Sequence, residues 1–174
     1  DGLVDVLIVN GMLRDVQHAD IGNYADRTFG GGSARWARFW SEQAMHSEPN
    51  MAYRNNGDLA FDEVGAEWGF DRKGMSMGIA TADFDNDGDL DVLVNNVDAP
   101  LSVLRNRSGS GNRLRVRLRG TGSNKFGLGA TVRVHGSQGV QTRHVTAARS
   151  WLSGGEPDLH FGLGETDRVS RIEV

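Results

Sequence analysis

Residues 83–91 read Asp-Phe-Asp-Asn-Asp-Gly-Asp-Leu-Asp, with acidic side chains at Asp83, Asp85, Asp87, Asp89 and Asp91 and a glycine, Gly88, where the backbone must turn sharply. Hard carboxylate oxygens at this density suit Ca2+. Because like charges a few ångströms apart repel and raise one another's pKa, such a loop is unfavourable unless a cation sits in it. An EF-hand beginning at Asp83 would need a bidentate Glu at its twelfth position, and Val94 stands there. The flanks IATADF and LDVLVNN are short, apolar and β-branched, as strands are and helices are not. The stretch therefore predicts a calcium site between two strands. Asp83, Asp85, Asp87 and Asp91 would ligate through carboxylates, and Asp89 through its backbone carbonyl with its side chain turned away.

The pattern DxDxDGxxD between strands resembles the calcium loops of FG-GAP or VCBS repeats, the blades of integrin-like β-propellers. The same segment occurs in part elsewhere. Residues 1–10, DGLVDVLIVN, superpose on residues 87–96, DGDLDVLVNN, at an offset of 86. Asp1 and Asp5 thereby match Asp87 and Asp91 and form an incomplete second site. A second pairing sets PNMAYRN, 49–55, against PLSVLRN, 100–106, at an offset of 51. The difference between the offsets means that the first copy carries about 35 extra residues, an insertion at about 11–48. Within it, Ser33 after a glycine run reads as an N-cap, and Trp36, Phe39, Trp40, Gln43 and Ala44 share one face of a short helix. That face is expected to pack on the neighbouring blade, with a sugar-binding platform of Trp36 and Trp40 as the functional alternative. Asn55-Asn56-Gly57 reads as a turn.

Twenty-four glycines and three prolines in 174 residues, scattered between short apolar runs, fit an all-β protein with many tight turns. No cysteine is present, which excludes disulfides and thiolate chemistry. No apolar run approaches the ~18 residues needed to span a membrane. The chain starts without Met and ends in a strand-like run, and so reads as an excerpt. Its formal charge of −4 conceals two unlike halves: 7 basic against 18 acidic residues through 98, and 12 against 5 from 99 onward, or −11 and +7.

The polar stretch RNRSGSGN, 105–112, reads as a linker and holds the sequon Asn106-Arg107-Ser108. After it, Leu114, Val116 and Leu118 alternate with Arg113, Arg115, Arg117 and Arg119, a half-buried strand. The outward arginines are expected to form a solvated face. The alternatives are that they bind a polyanion or the acidic half of the same chain. Further short strands follow, in SNKFGLGATVRVHG, VQTRHVTA, WLSGGEPDLHFGLG and RVSRIEV. Over about 112–174, LRGTGSNKFGLGATVRV, SWLSGG and LHFGLG resemble the ASPIC/UnbV domain, which that family places after FG-GAP repeats. The chain stops short of the tryptophan-proline-glycine-like tail of that pattern.

GLGA and FGLGET lack the third glycine and the βαβ setting of a dinucleotide site. The histidines, His18, His46, His135, His144 and His160, are dispersed, without zinc spacing, and His160 reads as structural. No GxSxG elbow occurs. The expectation is an all-β chain: partial β-propeller blades over 1–108 with a short helical insertion, then a small antiparallel ASPIC/UnbV-like β-domain over 109–174. It would be a non-enzymatic calcium-binding module at an extracellular or periplasmic location, with a protein or glycan ligand, no nucleic acid and no membrane span. The alternative that the resemblance implies is an accessory role in natural-product biosynthesis, and a third reading is nucleic-acid or polyanion binding through the basic C-terminal half.

Overall fold

The computed structural model describes residues 1–11, 14, 18–45, 47–97, 99–109, 111–137 and 139–174. His46, much of the start of the insertion, and Ser110 of the linker lie outside the described residues. Among the described residues the chain is mostly β, with several antiparallel sheets, no closed barrel and two helices.

The repeat is visible in the strand register. In the first copy β1 (Val6–Ile8) pairs antiparallel with β2 (Met51–Gly57), setting Val6 against Tyr53. In the second, β5 (Asp91–Asn96) pairs with β6 (Ser102–Leu104), setting Val92 against Leu104. Adding the two offsets to the first pair gives the second. The 35 extra residues are thus accommodated without moving the ladder, as expected for a surface insertion. β3 (Ala60–Glu63) completes the first sheet, and β4 (Ser76–Ala82) lies beside β5. One core joins the sheets: Ala52, Val64, Phe70 and Val94, with Leu7, Val9, Ile79, Val92 and Leu104 around them.

The turn expected at Asn55-Asn56-Gly57 falls elsewhere. These residues stay in β2, with an irregularity between Asn55 and Gly57, and the reversal is made by Asp58 and Leu59, both at positive φ. Two consecutive left-handed residues form the turn type that matches strand twist. Asn55 is held in the strand because its backbone N–H closes the first loop on Asp5.

Among its described residues the insertion contains two helices where one was expected, α1 (Ala19–Phe29) and α2 (Ala34–Glu42). Ser33 caps α2, its hydroxyl accepting from the Trp36 N–H at 3.1 Å. Gln43 and Ala44 lie beyond the helix end, Gln43 being extended at ψ 150. Among the described residues the aromatic face of α2 meets α1: Phe39 lies 5.3 Å from Phe29 and 5.9 Å from Tyr24, centroid to centroid. Trp40 is buried, and the Trp36 indole donates to Asp26 at 2.7 Å. An amphipathic hairpin thus satisfies its own stripe. α1 was missed although Ile21, Tyr24, Ala25, Thr28 and Phe29 have helical spacing. Its N-cap is His18, which makes no capping side-chain bond, so the start signal is absent.

The basic part forms β7 (Asn112–Val116), β8 (Thr131–Gly136), β9 (Gly139–His144), β10 (Ala148–Ser150), β11 (Ser153–Gly155), β12 (Leu159–Gly164) and β13 (Arg171–Glu173). β7 pairs with β12, and β13, β8 and β9 form another sheet. Its core is Val132, Val134, Val145, Leu159 and Phe161, against which Leu114, Val116 and Leu118 pack. The β10–β11 hairpin leaves this core and pairs parallel with β4, Gly154 opposite Ala80, giving the five-stranded order β10-β11-β4-β5-β6. It thereby covers the open edge of β4, which would otherwise present unpaired backbone groups.

Candidate metal site

Loop 83–90 joins β4 to β5, with Ala82 opposite Asp91 at its mouth. Asn86 and Gly88 take positive φ, which Asn tolerates and Gly adopts at little cost. Two Asx turns set its shape: Asp85 Oδ1 accepts from the Asp87 N–H at 3.3 Å, and Asp87 Oδ1 from the Asp89 N–H at 3.0 Å. Asp83 Oδ2 accepts from the Gly88 N–H across the loop at 3.1 Å. Asp91 closes the base, taking the Phe84 N–H at 3.1 Å and the Asn106 N–H at 2.8 Å.

Asp83, Asp85 and Asp91 each place a carboxylate oxygen within 4.8 Å of the others, the one such acidic group among the described residues. Asp87 and Asp89 do not join it. Asp89 pairs with Arg113, and Asp87 is held by the Asp89 N–H and by Arg105. These contacts, the N–H foremost, hold the Asp87 carboxyl below the usual carboxylate range. Asp83 and Asp91 are buried, and Asp83 Oδ1 has no hydrogen-bond partner. A buried carboxylate oxygen without a partner is costly, and a cation is the chemistry that would satisfy it.

Two of the arginines expected to form a solvated face, Arg113 and Arg115, reach the acidic half of the chain, whereas Arg117 pairs with Asp158 of its own half. Arg115 lies 3.2 Å from Asp83 Oδ2 and 3.3 Å from Asp158, Arg117 grips Asp158 through two nitrogens, and Arg105 lies 2.6 Å from Asp85. For Arg113 and Arg115, binding to the acidic half is what the structure contains. The physical reason is charge: five clustered carboxylates attract whichever cations the fold brings near. Arg117 holds the buried Asp158 carboxyl below its ordinary range, with Arg115 adding to the effect. Glu156 accepts the Asp83 N–H at 3.1 Å and lies 2.7 Å from His160 Nε2, so His160 supports the loop from behind.

The incomplete site at the start is built alike. Asp1 Oδ1 accepts the Leu3 N–H at 3.0 Å, Gly2 has φ 97 against 92 at Gly88, and Asp5 accepts the Asn55 N–H at 2.8 Å. Asn106, Arg105, Glu156 and Asp158 were not singled out from the sequence as loop partners. The offset of 51, which aligns Asn106 with Asn55, was the available signal for Asn106, and the opposed charges of the halves hinted at the arginine contacts. Nothing local marked Glu156 or Asp158.

Repeated strand pairs entered from acidic glycine loops, docked to a second β-unit through arginines, define a β-repeat module. A family model described as FG-GAP-like repeat matches residues 1–94, and one described as ASPIC and UnbV matches residues 120–174. The chain belongs to the FG-GAP-like repeat family. It is 35% identical to cartilage acidic protein 1 of Mus musculus over 126 residues, or 70% of this chain and 19% of that protein. The Homo sapiens protein of that name is 34% identical over 126 residues, with the same shares, and the Xenopus tropicalis one 34% over 134, or 74% and 19%. The chain spans about a fifth of the length of these curated relatives.

Among the described residues no helix is long and apolar enough to cross a membrane.

Proposed function

We propose that this chain is a calcium-stabilised extracellular repeat module that presents surface to a protein or glycan partner, without catalytic activity of its own. The observation that carries the calcium reading is Asp83 Oδ1, buried and unpartnered, in a residue whose carboxylate gathers with those of Asp85 and Asp91. Asp83, Asp85, Asp87 and Asp91 would bind through carboxylates and Asp89 through its carbonyl; the ion would supply the charge that holds the loop closed. The side chain of Asp89, engaged by Arg113, fits a backbone role for that residue. The modules divide near residue 109, although the β10–β11 hairpin crosses that line to reach β4. Kinship to proteins named for cartilage, together with a loop of a type that works where calcium is plentiful, favours an extracellular setting.

Thermal unfolding with calcium and with chelator tests this. The expected result is a higher melting temperature in calcium, and calorimetry should give one ion per chain, since Asp1 and Asp5 supply too few oxygens for six- to eightfold coordination. An unchanged melting temperature would count against the proposal.

A further inference from the structure

Three arginines lie on the acidic loop, and they are not equivalent. Arg113 pairs with Asp89, whose proposed contribution to a metal is its carbonyl. Arg115 takes Asp83 Oδ2 and leaves Oδ1 free. Arg105 instead lies 2.6 Å from Asp85 Oδ2 and 3.4 Å from Asp87 Oδ2. In both residues Oδ1 is already committed to an Asx turn, so Oδ2 is the oxygen left for a cation. Arg105 covers both. Its side chain is 56% exposed and sits at the end of β6, beside the Asn106 N–H that anchors Asp91, so it can swing into solvent while its backbone stays fixed.

We infer that Arg105 is a tethered counter-ion that occupies the loop when calcium is absent and must be displaced for calcium to enter, so that it sets the calcium affinity. The first copy supplies an internal contrast. At the offset of 51 the equivalent residue is Arg54, which faces Glu67 at 3.5 Å and Asp62 at 4.0 Å. Where the loop supplies only Asp1 and Asp5, the arginine turns to other acids. Where the loop carries five aspartates, three of them gathered together, it enters the loop. Competition of two cations for the same oxygens has a definite sign: removing the tethered one strengthens the binding of the free one.

The inference rests on the calcium reading, and its test separates the two. The full chain, stripped with chelator and titrated with calcium chloride by calorimetry, is compared with R105Q, R105K and R107Q. Arg107 is exposed and close in sequence, and its variant carries the same loss of charge. R105Q is expected to bind calcium about two- to fivefold more tightly, as for an exposed ion pair removed from competition. R105K and R107Q should stay within about twofold of the parent, and metal-free R105Q should melt below the metal-free parent. Equal or weaker calcium affinity in R105Q than in a binding parent overturns the role of Arg105 alone. Equal tightening in R107Q also overturns it, since general charge would then be the cause. No binding by the parent overturns the calcium reading, and this inference with it.

Discussion

The loops at Asp1–Asp5 and Asp83–Asp91 share a backbone and differ in charge. Both have an Asx turn, a left-handed glycine and a closing aspartate that accepts a backbone N–H from an equivalent asparagine, at 2.8 Å in each. Among the described residues only the second gathers three carboxylates within reach of one ion and pairs carboxylates with arginines, whereas at the first Arg143 reaches the Gly2 carbonyl. The turn is therefore a local property of Asp-Gly chemistry, formed whether or not a cation is called for. The cation site is a property of charge count.

The largest effect that would break the comparison is at the closing aspartates. Asp91→Ala leaves two part-buried backbone donors unpaired and removes a proposed ligand, and should cost about 2–4 kcal/mol. Asp5→Ala exposes one N–H that water can reach and should cost about 1 kcal/mol or less. Urea unfolding of both variants in calcium checks this, and equal losses would mean that the loops are energetically alike. Next, Asp83→Ala should abolish the calcium-dependent rise in melting temperature, a loss of about 2.7 kcal/mol at calcium one hundred times its dissociation constant, while Asp89→Ala keeps most of it.

Acid should act on the second loop more than on the first. Asp158, buried and gripped by Arg117 and Arg115, titrates below its ordinary value, so it stabilises the fold above about pH 4, and that contribution is lost as pH falls through its lowered pKa. Asp158→Asn should cost about 1.5–3 kcal/mol at pH 7 and flatten the acid limb of the stability curve. A variant as acid-sensitive as the parent would remove Asp158 from the account. The smallest contrast is at the glycines. An added Cβ is strained at either φ, but at Gly88 it would meet the movable Arg113 side chain at 2.8 Å, whereas at Gly2 it would also meet the fixed Gly162 carbonyl at 2.9 Å. Gly2→Ala should therefore cost about 1 kcal/mol more than Gly88→Ala, as melting temperatures would record.

Much of this was legible because it is local or repeated. The strand flanks, the acidic spacing and the two offsets specify the blade hairpins, their register and the residues of the loop, since period and turn chemistry act over a few residues. The N-cap of Ser33 was legible for the same reason. The destination of the α2 aromatic face was not, because a stripe declares that it will be covered and not by what. The arginine strand was legible as a strand, with its leucines and valine inward. That its outer face would meet Asp83, Asp85 through neighbouring Arg105, Asp89 and Asp158 depended on where β10–β11 joins β4, a pairing 74 residues apart in sequence. Taken alone, the sequence determined the repeat, the β class and the charge of each half. Tertiary structure decided which opposite charges meet, because Coulomb attraction depends on distance in space, and only the folded chain sets that distance.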